Sequence, residues 1–315
     1  MWIIKTDTAK ADKYIKLFWK YHPGYFKKDG YKSHMTNLQT TYVYKTINKS
    51  VFERYLKAQP LDLIKMHNDL FKVIYDGRHN IDEEKEALKR IFNYESAIDD
   101  MTDFSYEVAT LMETNTCTYC NRQYTLTINE NDSHIIRPQF DHWFPQSKYL
   151  DFTLSYFNLI PACSLCNSTL KHGKSMTLKK YIHPYVDNDI GFRFDYHTIG
   201  KDKDGIEHYQ VDCQVESCSK KQQKRIRKTL DLFRIEEIYS AHEGLELRDL
   251  VELARANPHD YISNLIKKVL ADTNMNEEDA YRLLFGIETQ KENYAKRPFS
   301  KFKIDIINKL KEQMK

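Results

Sequence analysis

The chain has 315 residues, 41% of them hydrophobic and 30% charged, which is enough to bury a core and solvate a surface. At roughly 100–200 residues per domain this points to two or three units. The net charge of +3 does not argue for a nucleic-acid partner, so only local clusters can carry such a claim. With 9 glycines against 22 tyrosines and 16 phenylalanines, helices with few long flexible loops are expected. The opening "MWIIKTDTAKADKYIKLFWKYH" has no long apolar core and is laced with charge, so it does not read as a signal peptide. No run of about 18 apolar residues marks a membrane span. A cytoplasmic location without membrane attachment is expected, and there six cysteines argue for metal or free thiols over disulfides.

Residues 1–112 read as a helical lobe. "DKYIKLFWKYH", "VFERYLKA", "DLIKMHNDLFKVIYDG" and "DEEKEALKRIFNYESAIDDM" carry apolar residues at three- and four-residue spacing, punctuated by Pro60 and "DGRHN". Residues 113–216 change character. "RQYTLTI" alternates like a strand, "NENDS" is a turn signal and "HIIRPQF" reads as the returning strand. This hairpin is expected to deliver Asp141 and His142 at its far end. "YFNLIPACSLCNSTLKHGK" is expected to be a loop leading into a short helix, and "YIHPYVD", "FRFDYHTIG" and "HYQVDCQV" to be short aromatic strands. Residues 217–315 return to helix. The expected class is α+β, with a chemistry-rich centre between two helical lobes.

"CTYC" supplies Cys117 and Cys120, and "CSLC" supplies Cys163 and Cys166. Each pair can form a knuckle with two thiolates on one side, and four thiolates complete the tetrahedron that a structural Zn²⁺ prefers. The 42 residues between the pairs are many for a compact ribbon, but a hairpin can fill them. Cys213 and Cys218 are spaced differently and read as ordinary thiols.

Between the pairs lies "FDHWFP", and "NLIPACSLCN" overlaps the second pair, with Lys171 four residues beyond Asn167. Over roughly residues 115–180 the chain resembles the HNH (ββα-metal) endonucleases in their four-cysteine, zinc-stapled form. That resemblance implies a metal-dependent nuclease. A neutral imidazole can take a proton from water at cytoplasmic pH, which makes His142 the candidate general base. A hard cation prefers oxygen ligands. By resemblance Asp141 and Asn167 would hold a catalytic Mg²⁺ or Mn²⁺, and Asn158 would bond within the loop and orient the His142 ring. The implied products are a 5′-phosphate and a 3′-hydroxyl. Many members carry histidine where this chain has Asn167, which suggests an oxygen-preferring site. His172 reads as a phosphate contact or a bystander, His134 as part of the exposed hairpin, and "HPY" at His183 as a packed turn.

Lys148, Lys171 and Lys174, with Lys179 and Lys180, lie close to this centre in sequence and are the candidates for nucleic-acid contacts. Lys221, Lys224, Arg225 and Lys228 share one helical face, which either follows a phosphate backbone or is simply solvated. The second half, from "PACSLCNSTLKHGK" through "HPY" to "KTLDLFRIEE", resembles HNH subunits of Septu-like and retron-associated antiphage systems. That likeness implies an SMC/Rad50-like ATPase partner that holds or targets the nuclease, and the leading expectation is an endonuclease acting on DNA in defence against foreign elements. Two other readings stand beside it: the same centre acting on RNA such as tRNA, and a zinc module that binds nucleic acid or a partner without catalysis.

Overall fold

The computed structural model describes residues 3–313 except 5, 28–30, 131–132, 188–190, 217–218, 257–260 and 272–273. The N-terminal helices are α1 (Thr8–Tyr21), α2 (Tyr42–Thr46), α3 (Lys49–Lys57), α4 (Pro60–Ile74), α5 (Ile81–Ile91) and α6 (Thr102–Met112). Side-chain caps start several of them. Asp7 accepts from the Ala9 and Lys10 amides, and Asn80 from those of Asp82 and Glu83. Helix α2 is capped from a distance. Buried Glu84 of α5 accepts from Tyr42 N at 2.6 Å and Val43 N at 2.8 Å. A carboxylate there meets the positive end of the short helix and satisfies its orphan donors. Phe18, Phe52, Phe92 and Phe104 form the aromatic heart of this lobe, with ring centroids 5.2–5.8 Å apart along the chain of contacts.

The centre differs from the expected hairpin. Strands β1 (Ile128–Glu130) and β2 (Ser133–Ile136) pair, but they are short, and Tyr124, Leu126 and Ile128 lie exposed. The alternation is present in the sequence, yet its apolar side is not buried. Asp141 and His142 lie on a separate strand, β3 (Gln139–His142), which pairs antiparallel with β4 (Leu159–Ala162). "NLIPA", expected as loop, therefore supplies a strand. The short helix that follows is a π-helical turn, Leu165–Lys171. "YIHPYVD" forms turns, not a strand, around Pro184. The other two aromatic segments do pair, as β5 (Phe192–Lys201) and β6 (Glu207–Val215).

C-terminal helices follow: α7 (Lys220–Leu232), α8 (Ile235–Ser240), α9 (Arg248–Ala256), α10 (Tyr261–Leu270), α11 (Glu277–Phe285) and α12 (Ser300–Gln313). Helix α11 stops at Gly286, whose φ of +66° needs no Cβ to be accommodated. The β5–β6 hairpin packs on these helices. Phe194 N donates to Asp305 Oδ2 at 2.9 Å, and its ring lies 4.5 Å from Tyr239 and 5.2 Å from Phe302. Cys213 is buried there as a free thiol, and Cys218 lies outside the described residues. Among the described residues no helix is long and apolar enough to cross a membrane.

Both lobes bond to the centre. Tyr14 OH donates to Leu154 O at 2.9 Å, Ser155 Oγ to Tyr55 O at 2.7 Å, and Asn121 Nδ2 to Tyr294 O at 2.8 Å. The "HPY" turn is packed, as expected. His183 is fully buried against Trp143, Phe144 and Tyr185, its Nδ1 accepts from Tyr185 N, and its Nε2 has no partner. Burial, reinforced by the Arg225 charge, lowers its pKa to about 3. The unfolded chain then binds a proton below the ordinary value of 6.5 that the folded chain refuses until about pH 3. Stability is expected to fall as pH drops through this window, by up to about 1.4 kcal/mol per pH unit from this group. Urea unfolding of wild type and His183→Asn between pH 7 and 4 checks it. The variant is expected to lose part of the slope, and equal slopes would contradict the assignment.

Candidate metal cluster and catalytic cleft

Two tight turns bring the four cysteines together. In the first, Asn121 N donates to Cys117 O at 2.9 Å and Asn121 adopts φ 49°, closing the knuckle. In the second, Asn167 N donates to Cys163 O at 3.0 Å as β4 runs into the π-helical turn. Thr118 N donates to Pro161 O at 3.1 Å and locks one knuckle against β4. All four thiols are buried, and their sulfurs lie within 4.8 Å of one another, Cys120 and Cys163 at 4.0 Å. Sulfurs about 2.3 Å from a zinc ion sit at tetrahedron edges of about 3.8 Å. The cluster therefore fits a metal ion, with a small contraction on binding. Burial pushes the Cys117 thiol up, whereas contacts from the other three sulfurs, Cys117 first, draw Cys120 down. A divalent cation at the centre relieves that conflict by stabilising all four as thiolates.

On β3, Asp141 and His142 open onto a cleft of ≈ 700 Å³ lined also by Tyr94, Arg137, Gln146 and Asn167. Asp141 is buried and both its oxygens are engaged. Oδ1 accepts from Lys171 Nζ at 2.7 Å, and Oδ2 accepts from Tyr119 OH. Lys171 Nζ also donates to His142 O. His142 Nε2 lies 2.8 Å from Thr153 O. A carbonyl only accepts, so Nε2 carries the proton and Nδ1 presents its lone pair. Gln146 Nε2 lies 3.0 Å from that Nδ1 and 3.1 Å from Nε2, between the two ring nitrogens. Burial lowers the His142 pKa to about 4; the Thr153 carbonyl opposes the shift and the Lys171 charge adds to it. The imidazole is thus neutral near pH 7.

Asn158 is fully buried. Its Oδ1 accepts from Phe144 N at 2.7 Å, and its Nδ2 donates to Phe144 O at 3.2 Å and Phe152 O at 3.1 Å. It braces the loop from Phe144 to Phe152, as expected within the loop, but Thr153 O and not Asn158 holds the His142 ring. Asn167 donates from Nδ2 to Gln139 Oε1 at 3.0 Å, which leaves its amide oxygen as the atom able to bind a cation. His172 is exposed and hydrogen-bonds Ser168 O, and His134 on β2 bonds Asp103 and Asn129. Neither lines this cleft.

The basic residues divide. Lys148 and Lys174 are exposed beside the cleft-lining Ser147 and Gly173. Lys171, close to this centre in sequence, is buried in its pair with Asp141 and does not face a substrate surface. Lys221, Lys224 and Lys228 are exposed on α7. Arg225 is not available with them. Its guanidinium clamps Asp187 at 2.8 Å through both Nη atoms and donates to Tyr181 O. Tyr119, Gln146 and Arg137 joined the site without having been singled out. Tyr119 has a visible signal, since it sits inside the first CxxC pair. Thr153 acts through its carbonyl, which no side-chain pattern reveals.

No family model matches the chain. A stretch of 56 residues, 17% of this chain, is 39% identical to Protein ea31 of Escherichia phage lambda. That match spans about a fifth of the relative's length, at 19%. No solved structure matches.

Asn158→Ala would leave the buried Phe144 N–H and Phe144 O without their side-chain partner, while Phe152 O keeps Ser155 N. Each such loss costs about 1–3 kcal/mol. A loss of about 2–5 kcal/mol in urea unfolding is expected, and a change under about 0.5 kcal/mol would show that the amide does not hold the loop.

Proposed function

We propose that the chain is a metal-dependent endonuclease of the HNH (ββα-metal) kind, stapled by a structural Zn²⁺ and hydrolysing phosphodiester bonds of DNA. The observation that carries this reading is the placement of His142, its Nε2 held on Thr153 O so that Nδ1 is left as the acceptor, on the cleft that Asp141 and Asn167 also line. The order β3, β4, helical turn, with cysteines before and after, supports it further.

Asp141 and the Asn167 amide oxygen are the residues to hold a Mg²⁺ or Mn²⁺, whose charge would stabilise the phosphate and the leaving oxygen in the transition state. His142 Nδ1 takes a proton from a water as that water attacks phosphorus. The bond from phosphorus to the 3′ oxygen breaks, which leaves a 5′-phosphate and, after protonation, a 3′-hydroxyl. Thr153 O holds the ring in the tautomer that makes this possible and stabilises the imidazolium that forms. Gln146 must yield Nδ1 to the water. Lys148, Lys174 and the α7 lysines Lys221, Lys224 and Lys228 would follow the phosphate backbone, giving affinity without sequence preference. The likeness to antiphage HNH subunits extends the reading to a defence role beside an SMC-like ATPase partner.

The base activates water and needs no 2′-hydroxyl, so the same chemistry would serve RNA. Plasmid DNA and total tRNA are therefore offered to wild type and His142→Ala, with Mg²⁺ or Mn²⁺ and with EDTA. The expected result is metal-dependent cutting of DNA, reduced by about 10²–10⁴ in the variant. Cutting of tRNA alone would move the substrate to RNA, and full activity in His142→Ala would remove the assigned base.

A further inference from the structure

The buried pair between Lys171 and Asp141 is not needed for the hydrolytic step just described, and it stands in the way of the metal. Both side chains are almost wholly enclosed, at 3% and 4% exposure, with Nζ 2.7 Å from Oδ1. The second carboxylate oxygen is taken by Tyr119, a buried ring stacked 4.1 Å from Phe233. Tyr119 is therefore fixed, and Oδ1 is the oxygen that can be vacated. A divalent cation binds a carboxylate oxygen at about 2.1 Å. It cannot share Oδ1 with an ammonium, because charges of +2 and +1 would then stand within about 4 Å of each other.

Lys171 leaves by giving up its bonds to Asp141 Oδ1 and His142 O, and its surroundings allow the movement. It ends the π-helical turn, and the next two residues, His172 and Gly173, have φ of 32° and 69°, so the backbone turns away directly after it. Its four-carbon stem is flexible, and the cleft it lines gives the ammonium room to move without moving the backbone. Resting on the nuclease reading above, we propose that Lys171 is a built-in competitor of the catalytic metal: its ammonium occupies the position on Asp141 that a divalent cation takes, and the cation binds only as Lys171 swings into the cleft. There the freed ammonium faces the substrate phosphate, so metal entry and phosphate binding are coupled through one side chain.

The test uses the full chain with its cysteine cluster loaded with zinc. Mn²⁺ binding is measured by electron paramagnetic resonance in wild type, Lys171→Met and Asp141→Asn. One site lost in Asp141→Asn and at least tenfold tighter in Lys171→Met is expected. A merely structural pair would give Lys171→Met that is less stable and binds Mn²⁺ no better. If Lys171→Met does not fold, wild type alone decides. Acetylation by an N-hydroxysuccinimide ester, read by mass spectrometry, is expected to spare Lys171 relative to exposed Lys174 without Mn²⁺, and to label it at least tenfold faster at saturating Mn²⁺. Protection that persists at saturation would overturn the proposal. An Asp141-dependent site whose affinity ignores Lys171 overturns this proposal and leaves the nuclease reading standing. No Asp141-dependent site in wild type or Lys171→Met overturns both.

Discussion

Four cysteine sulfurs within 4.8 Å of one another in a dry interior are the constraint on which the rest depends. Thiolates so close repel, and thiols so close waste the enclosure; one cation resolves both. The gain from a bound cation would be large where it is needed. Strands β3 and β4 match only from Gln139–Ala162 to His142–Leu159, and a lone two-stranded hairpin is marginal in water. A structural zinc contributes about 10–16 kcal/mol of apparent binding energy. The two knuckles stand on either side of the β1–β4 segment, so the cluster ties its ends and fixes β4 beside β3. The carboxylate and imidazole at the end of β3 then have a rigid floor.

The helical lobes complete what the cluster begins. The loop after His142 is covered by α1, α3 and the end of α5. Tyr14 OH donates to Leu154 O, and the loop's own side chains donate outward, Ser155 Oγ to Tyr55 O and Thr153 Oγ1 to Phe92 O. The carbonyl of that same Thr153 sets the His142 tautomer. The N-terminal lobe thus supports the candidate site through this loop, and it also reaches it directly, with the Tyr94 ring 4.5 Å from that of His142. The other side of the site is electrostatic. A buried carboxylate needs a partner, and Asp141 has two donors, one of them charged. That pairing satisfies the buried carboxylate, and on the proposal above a cation would compete for the same oxygen.

What the residues announce in advance follows what physics constrains at the level of residue type. A tetrahedral sulfur site admits little except cysteine, so Cys117, Cys120, Cys163 and Cys166 were legible, and the structure gathers all four. Long helices such as α4 and α12 were legible because one apolar face repeats every three or four residues. Strand β4 was not: "LIPA" is four residues of unbroken apolar character with a proline, and nothing in it alternates. Its place is set by its partner β3 and by Pro161 O, which receives Thr118 N. Charge misled for a related reason. Lys171 and Arg225 belong by sequence to basic clusters, but each is turned inward to a carboxylate, Asp141 and Asp187. A sequence shows that a side chain is cationic and not which way it faces.

The claim that most else rests on is that the four sulfurs hold a single zinc ion. Zinc-edge X-ray absorption on the purified full chain, with metal content measured on the same sample, tests it most directly. The account predicts one zinc per chain with four sulfur neighbours at about 2.3 Å and no nitrogen or oxygen in the first shell. A metal-free folded chain, or zinc bound through nitrogen or oxygen, would contradict it.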